Sequence, residues 1–129
     1  MILPLFEGDL AEVMFAATEQ KLDDVPFANS RNSAACIVVA SGGYPGSYEK
    51  GCPIEGLEEA KKRGCIVFHA GTRIEGGRIV TSGGRVLGVT GVAKSLEGAL
   101  DKAYNGVDAV SFKDAFHRTD IGKKGLQRV

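Results

Sequence analysis

Arg85 is the side chain whose neighbours best equip it for chemistry. It follows Gly83-Gly84 and opens the apolar run Val86-Leu87-Gly88-Val89. Two consecutive glycines let the backbone turn with positive φ and leave amides bare, and a guanidinium beside them presents a planar fork of donors. That combination suits a phosphate or a carboxylate. A surface arginine is ordinarily solvated; the double glycine at a strand entrance is what makes this one a candidate anion ligand. Thr72 and Ser82 offer hydroxyls, although at turns such groups usually bond their own backbone. His69 suits a ligand contact or a general base, yet spacing supplies no catalytic partner. In the stretch 42–53, Tyr44, Tyr48 and Lys50 add aromatic surface and a mobile cation among glycines that let a ligand approach backbone closely.

Other chemistry is poorly represented. His69 and His117 are far apart, and no acidic cluster has magnesium or calcium ligand spacing, so no metal site is predicted. His117, in a basic and aromatic tail, fits a structural or solvent role. Cys36, Cys52 and Cys65 form no Cys-x-x-Cys pair, and reduced packing thiols are the expectation. The loop 42–53 lacks the lysine after Gly51 that a phosphate loop of the Gly-x4-Gly-Lys type needs, and no Gly-x-Gly-x-x-Gly occurs there.

The elements that must position these residues follow from periodicity. Leu10, Val13, Met14 and Ala17 fall on one helical face after Asp9, which can cap the first free amides; this helix should end by Leu22. Residues 33–41 have the continuous apolar centre of a strand covered on both faces. Four glycines and two prolines within residues 42–53 exclude a regular element. A short helix over 56–63 carries acids early and bases late, with Gly64 as its stop. The stretch 66–91 reads as three strands joined by glycine turns, through Ile66, Phe68 and Ala70, then Ile79 and Thr81, then Val86 and Gly88. Glu75-Gly76-Gly77 closes a hairpin turn whose return strand begins at Arg78. Ser95 caps a last helix whose stripe of Leu96, Ala99, Leu100, Ala103, Val107 and Val110 must cover one sheet face. Asp120-Ile121-Gly122 predicts a turn that docks the tail before the last residues fray.

These readings sum to an α+β fold: a small, mostly antiparallel sheet of about four strands covered by helices. The 129 residues suffice for one domain with its own core. Residues 33–129 form that core, and 1–22 are a lead-in helix. Sixteen basic against sixteen acidic residues leave no bulk charge to recruit nucleic acid or an anionic membrane, so any anion site must be local. No apolar run approaches a membrane span and the N-terminus lacks a signal-peptide pattern, so a cytoplasmic location is expected.

Family resemblance carries the reading further. The run Ala40-Ser41-Gly42-Gly43-Tyr44-Pro45-Gly46-Ser47-Tyr48-Glu49-Lys50-Gly51, with Pro53-Ile54-Glu55-Gly56-Leu57, resembles the C-terminal domain of phosphoribosylamine-glycine ligase, also called glycinamide ribonucleotide synthetase. Phe68-His69-Ala70-Gly71-Thr72 and Thr81-Ser82-Gly83-Gly84-Arg85-Val86-Leu87-Gly88-Val89-Thr90 match in the same order, as does the tail from Phe116 to Gly122. The resemblance covers practically the whole chain. It implies part of an ATP-grasp ligase of purine synthesis, using ATP and magnesium held by portions that precede the segment resembling residues 1–17. The chain would then be the substrate-side piece, inactive alone, with the missing N-terminal portion as its partner. It further implies a ribose-phosphate substrate at Arg85, approached over Gly83 and Gly84, with Tyr44, Lys50, His69 and Thr72 as candidate substrate contacts. Two other readings stay open: a stand-alone sugar-phosphate or nucleotide-binding regulatory module without catalysis, and a purely structural buttress of a larger ligase.

Overall fold

In the computed structural model, which describes residues 2–127, the chain runs β1 (Phe6–Glu7), α1 (Leu10–Thr18), β2 (Ala28–Asn29), β3 (Ser33–Ala40), α2 (Leu57–Lys62), β4 (Ile66–His69), β5 (Thr72–Glu75), β6 (Arg78–Thr81), β7 (Arg85–Ala93), α3 (Leu96–Val107) and α4 (Lys123–Leu126). β7 is the centre of a three-stranded sheet, flanked by β3 and β4; β5 with β6, and β1 with β2, form two further pairs. All pairings are antiparallel. The α+β class expected from the sequence is the one found. Among the described residues no helix is long and apolar enough to cross a membrane.

The strands distribute differently from the single meander read over 66–91. Gly76 and Gly77 both have positive φ, 56° and 76°, the geometry of a two-residue hairpin turn. That turn pairs Glu75 with Arg78 and Thr72 with Thr81, so residues 72–75, read as part of a turn region, become a strand. The hairpin thereby stands apart from β4, which pairs with β7 from Ile66↔Thr90 to His69↔Leu87. The buried face of β4 is also inverted. Val67 packs on the core while Ile66 and Phe68 are 42% and 41% exposed.

One face of the central sheet is covered throughout and the other only in part, where Ala40 and Thr90 are buried. Ala35, Ile37 and Val39 of β3 and Leu87 and Val89 of β7 are buried together with Ala99, Leu100, Ala103 and Val107 of α3. On the other face Val38 is 44% exposed. Ser95 caps α3 by accepting from the Gly98 amide at 3.1 Å, and the predicted stripe is the face that lies on the sheet. Two glycines set the spacing. A Cβ at Gly91 would lie 2.3 Å from the Ala99 carbonyl oxygen and 2.7 Å from the Ala103 nitrogen, and one at Gly106 would lie 2.4 Å from the Cys65 sulfur. At Gly91 the helix and strand backbones touch, and at Gly106 the helix backbone meets the Cys65 and Val89 side chains.

α1 is capped as read, Asp9 accepting from the Ala11 and Glu12 amides at 2.8 and 3.2 Å. It ends at Thr18, inside the expected limit of Leu22, where Gln20 takes a left-handed φ of 59°. Its predicted apolar face is not covered: Ala16 is the buried residue of the helix, while Leu10, Met14 and Ala17 are exposed and Val13 is half-buried. The nearest element is the short turn Leu22–Asp24 and not the sheet. The tail docks through Tyr104, whose hydroxyl donates to the Arg118 carbonyl and accepts from the Ile121 amide, each at 3.1 Å. Residues 123–126 then form a helical turn, and the last two residues, on which the expected fraying falls, lie outside the described residues.

Gly91→Ala should lower stability by about 1–3 kcal/mol through overpacking, read as a lower urea midpoint at unchanged slope; an unchanged midpoint would refute this contact. Burial pushes the Cys65 thiol up, outweighing the opposing effect of the Lys102 charge. Cys65 should therefore resist iodoacetamide at pH 8 in the folded chain while half-exposed Cys36 reacts first, followed by peptide mass spectrometry.

Candidate functional site

A single extra residue decides which way Arg85 faces. Val39 pairs with Leu87 but Ala40 pairs with Arg85, which leaves Val86 unpaired in a β-bulge. Val86 and Leu87 are consecutive, yet both are buried in the core, at 0% and 1% exposure. The alternation resets at this point, and Arg85 comes out exposed at the end of the partly covered sheet face.

The Gly83-Gly84 turn before it does not use positive φ; neither glycine adopts it. The glycines serve close approach instead. A Cβ at Gly83 would fall 3.0 Å from the Gly71 Cα, and one at Gly84 would fall 2.1 Å from Cδ2 of Tyr44. Backbone bonds complete the frame. The Gly71 carbonyl accepts from Ser82 and Gly83 at 2.7 and 3.2 Å, and the Gly71 amide donates to Val86 at 3.1 Å. Ser41, itself buried, donates its hydroxyl to the Gly83 carbonyl at 3.0 Å and its amide to the Gly84 carbonyl at 2.8 Å. The Gly84 amide, in contrast, donates to no group among the described residues.

Two hollows meet at Arg85. One, of about 530 Å³, is lined by Tyr44, Phe68, Ala70, Gly71, Gly84 and Gly88 with Arg85. The other, about 240 Å³, has Cys36, Val38, Ala40 and Phe116 as apolar walls, with Arg85 and Arg118 on it. Phe116 is held there by a reciprocal backbone pair with Ala40, 2.8 and 3.0 Å. Arg118 is bound to Asp120 through two contacts of 2.8 and 2.6 Å, and that bond holds the Asp120 carboxyl below its usual range. Arg85, by comparison, has no ion pair or side-chain hydrogen bond among the described residues. Arg85, with an unpaired guanidinium, and Gly84, with an unbonded amide, both line this cleft, and such groups are donors of the kind a phosphate or carboxylate uses.

Of the residues singled out from the sequence, Tyr44, Gly84 and Arg85 come together on this cleft, and Gly83 forms its internal brace. The others lie apart. His69 and Thr72 are bonded to each other, Nδ1 to Oγ1 at 3.2 Å, and line a separate hollow of about 320 Å³ with Arg73, Ile74 and Ile79. Lys50 sets its Nζ 5.9 Å from the Tyr48 ring centroid. Sequence reasoning missed Ser41, Gly71 and Phe116. Gly71 acts through its backbone and Ser41 through its hydroxyl and amide, on partners that no spacing rule reveals, and Phe116 reaches the site only because the tail returns to β3.

Fold and cleft together define a small α+β domain of antiparallel sheets with an arginine-centred cleft at the end of its central strand. Residues 34–124 match the family model described as Phosphoribosylglycinamide synthetase, C domain, and the chain belongs to that family. Among curated relatives, it is 47% identical over 97% of its length to a phosphoribosylamine–glycine ligase from Synechocystis, of which it spans 30%. Similarity to the trifunctional purine biosynthetic protein adenosine-3 of Gallus gallus is 46%, over 98% of this chain and 13% of that one. The crystal structure of phosphoribosylamine–glycine ligase from Thermotoga maritima superimposes with a TM-score of 0.69 at 32% identity, covering 86% of this chain and 28% of that one. The chain thus spans under a third of the ligases it matches.

Adding inorganic phosphate to the 15N-labelled chain should move the Gly84 amide and Arg85 Nε resonances while those of Lys50, His69 and Thr72 stay in place. Shifts confined to the latter three would move the site to the β5–β6 hairpin.

Proposed function

We propose that this chain is the substrate-side C-terminal domain of a phosphoribosylamine–glycine ligase working in the cytoplasm, and that Arg85 holds the ribose phosphate of its substrate. The supporting observation is that Arg85, with an unpaired guanidinium, and Gly84, with an unbonded amide, both line one cleft, inside a chain that belongs to the ligase's C-domain family. The proposed overall reaction joins glycine to 5-phosphoribosylamine through an acyl phosphate, with ATP converted to ADP and phosphate. In that reaction the present chain binds and orients the sugar phosphate. On this proposal ATP and magnesium are held by the rest of the ligase, and no step here runs through the ion.

Residues 1–22 fit the role of a lead-in segment that meets the remainder of the ligase. Met14 and Phe15 are 62% and 68% exposed, as a helix leaves them when its apolar face awaits a partner. A charge-assisted bond to phosphate contributes about 1.5–3 kcal/mol, too little for tight binding by one residue.

Titration with ribose 5-phosphate should show weak binding by the native chain and a loss of roughly ten- to hundredfold in Arg85→Ala, the equivalent of that bond. Equal affinity of the two forms would remove the assignment. The chain alone should make no glycinamide ribonucleotide from ATP, glycine and phosphoribosylamine, and adding the remaining portion of a related ligase should restore synthesis. Binding without restored turnover would favour a stand-alone sugar-phosphate module.

A further inference from the structure

We infer that Tyr44 is a positioning residue for Arg85 and acts through its ring, not its hydroxyl; the inference rests on the assignment of Arg85 to an anion. The Tyr44 ring occupies the space that a side chain on Gly84 would fill: a Cβ there would lie 2.1 Å from Cδ2, 2.7 Å from Cε2 and 3.0 Å from Cγ. Gly84 is the residue immediately before Arg85, so the ring bears on the peptide that aims the guanidinium. Tyr44 also lines both hollows that meet at Arg85, as Val38 and Arg85 do.

The backbone makes the ring part of a strap. The Tyr44 amide donates to the Ser41 carbonyl at 3.1 Å, and Ser41 holds the carbonyls of Gly83 and Gly84. Residues 41–44 therefore grip the glycine turn twice, by hydrogen bonds through Ser41 and by ring contact through Tyr44. Behind the ring stands Tyr48, with centroids 6.3 Å apart, and beyond Tyr48 lies the Lys50 ammonium. This succession gives the residues between Gly42 and Gly51 a common purpose. An aromatic side chain has two rotatable angles and a large face, which makes it a stiff wedge at small entropic cost. The side-chain contacts observed for Tyr44 are made by its ring, on Gly84 and beside Tyr48. Without the ring, a glycine pair with no side chains of its own regains backbone freedom, and the guanidinium it carries must be ordered again whenever an anion binds.

The test compares ribose 5-phosphate affinity and the Arg85 Nε resonance in the native chain, Tyr44→Phe, Tyr44→Ala and Arg85→Ala. Tyr44→Phe should match the native chain in both. Tyr44→Ala should bind roughly three- to tenfold more weakly, the cost of ordering about one long side chain, with a broadened Nε signal. Gly84→Ala, which pushes the ring away while leaving it intact, should show the same loss and serves where Tyr44→Ala does not fold. A Tyr44→Phe loss as large as that of Tyr44→Ala would overturn the inference in favour of a hydroxyl contact. So would undiminished affinity in Tyr44→Ala or Gly84→Ala while Arg85→Ala is weakened. No effect of Arg85→Ala would instead refute the anion assignment itself, and the inference with it.

Discussion

The unpaired residue Val86 is the constraint on which the arrangement depends. A regular ladder would give consecutive residues opposite faces, so that burying Leu87 would also bury Arg85 beside it in the helix-covered core. A charge there, without a partner, is costly enough to unfold a small domain. Inserting one residue opposite β3 lets Val86 and Leu87 both enter the core. The strand then satisfies its apolar demand and still delivers a cation to the open face. The local break in pairing is offset by Gly71, whose carbonyl and amide take up groups of the neighbouring chain on either side of the glycine turn.

The same economy of space appears on the other side of the sheet. α3 sits directly on β7 at Gly91, and Gly106 brings it against Cys65 and Val89. Because helix and strand touch through backbone, the branched residues around them close over the contact with little void. One helix on one face is enough to give this domain a core. The other face keeps Val38, Phe68 and Ile66 partly in water, and the segment before β3 keeps Leu3, Met14, Phe15 and Phe27 there as well. The second sheet face is thus only partly covered, with Ala40 and Thr90 buried beside these exposed apolar groups.

Much of this was legible in the sequence, and the failures have physical causes. The Asp9 and Ser95 caps, the Gly76-Gly77 turn and the stripe from Ala99 to Val107 are local features, specified by residues within a turn or two of one another, and each was placed correctly. Strand partnership and sheet faces were not. Alternation at Ile66 and Phe68 is real in the residue types, but which face becomes core depends on where α3 lands, which no local pattern records. Of the reasons given for Gly83 and Gly84, positive φ fails, since neither adopts it; what the sequence did not show is that they permit the approach of Gly71 and Tyr44, residues distant in the sequence. Ser41 and Phe116 escaped notice for the same reason, since their relation to Arg85 exists only after the chain has folded back.

The open face bears on how strong the proposed site can be. An ion pair at 4 Å contributes about 1 kcal/mol in bulk water and about 4 kcal/mol at the effective dielectric of a protein surface pocket. In the chain as it stands, Arg85 is exposed and its field is screened by solvent. The bulge, Gly71 and Ser41 brace the backbone that carries Arg85; what an opposite wall would add is the exclusion of water. On the proposed assignment, then, this domain contributes orientation and the remainder of the ligase contributes dielectric. That division explains why a braced arginine and an apolar, partly covered surface occur on the same side of one small fold.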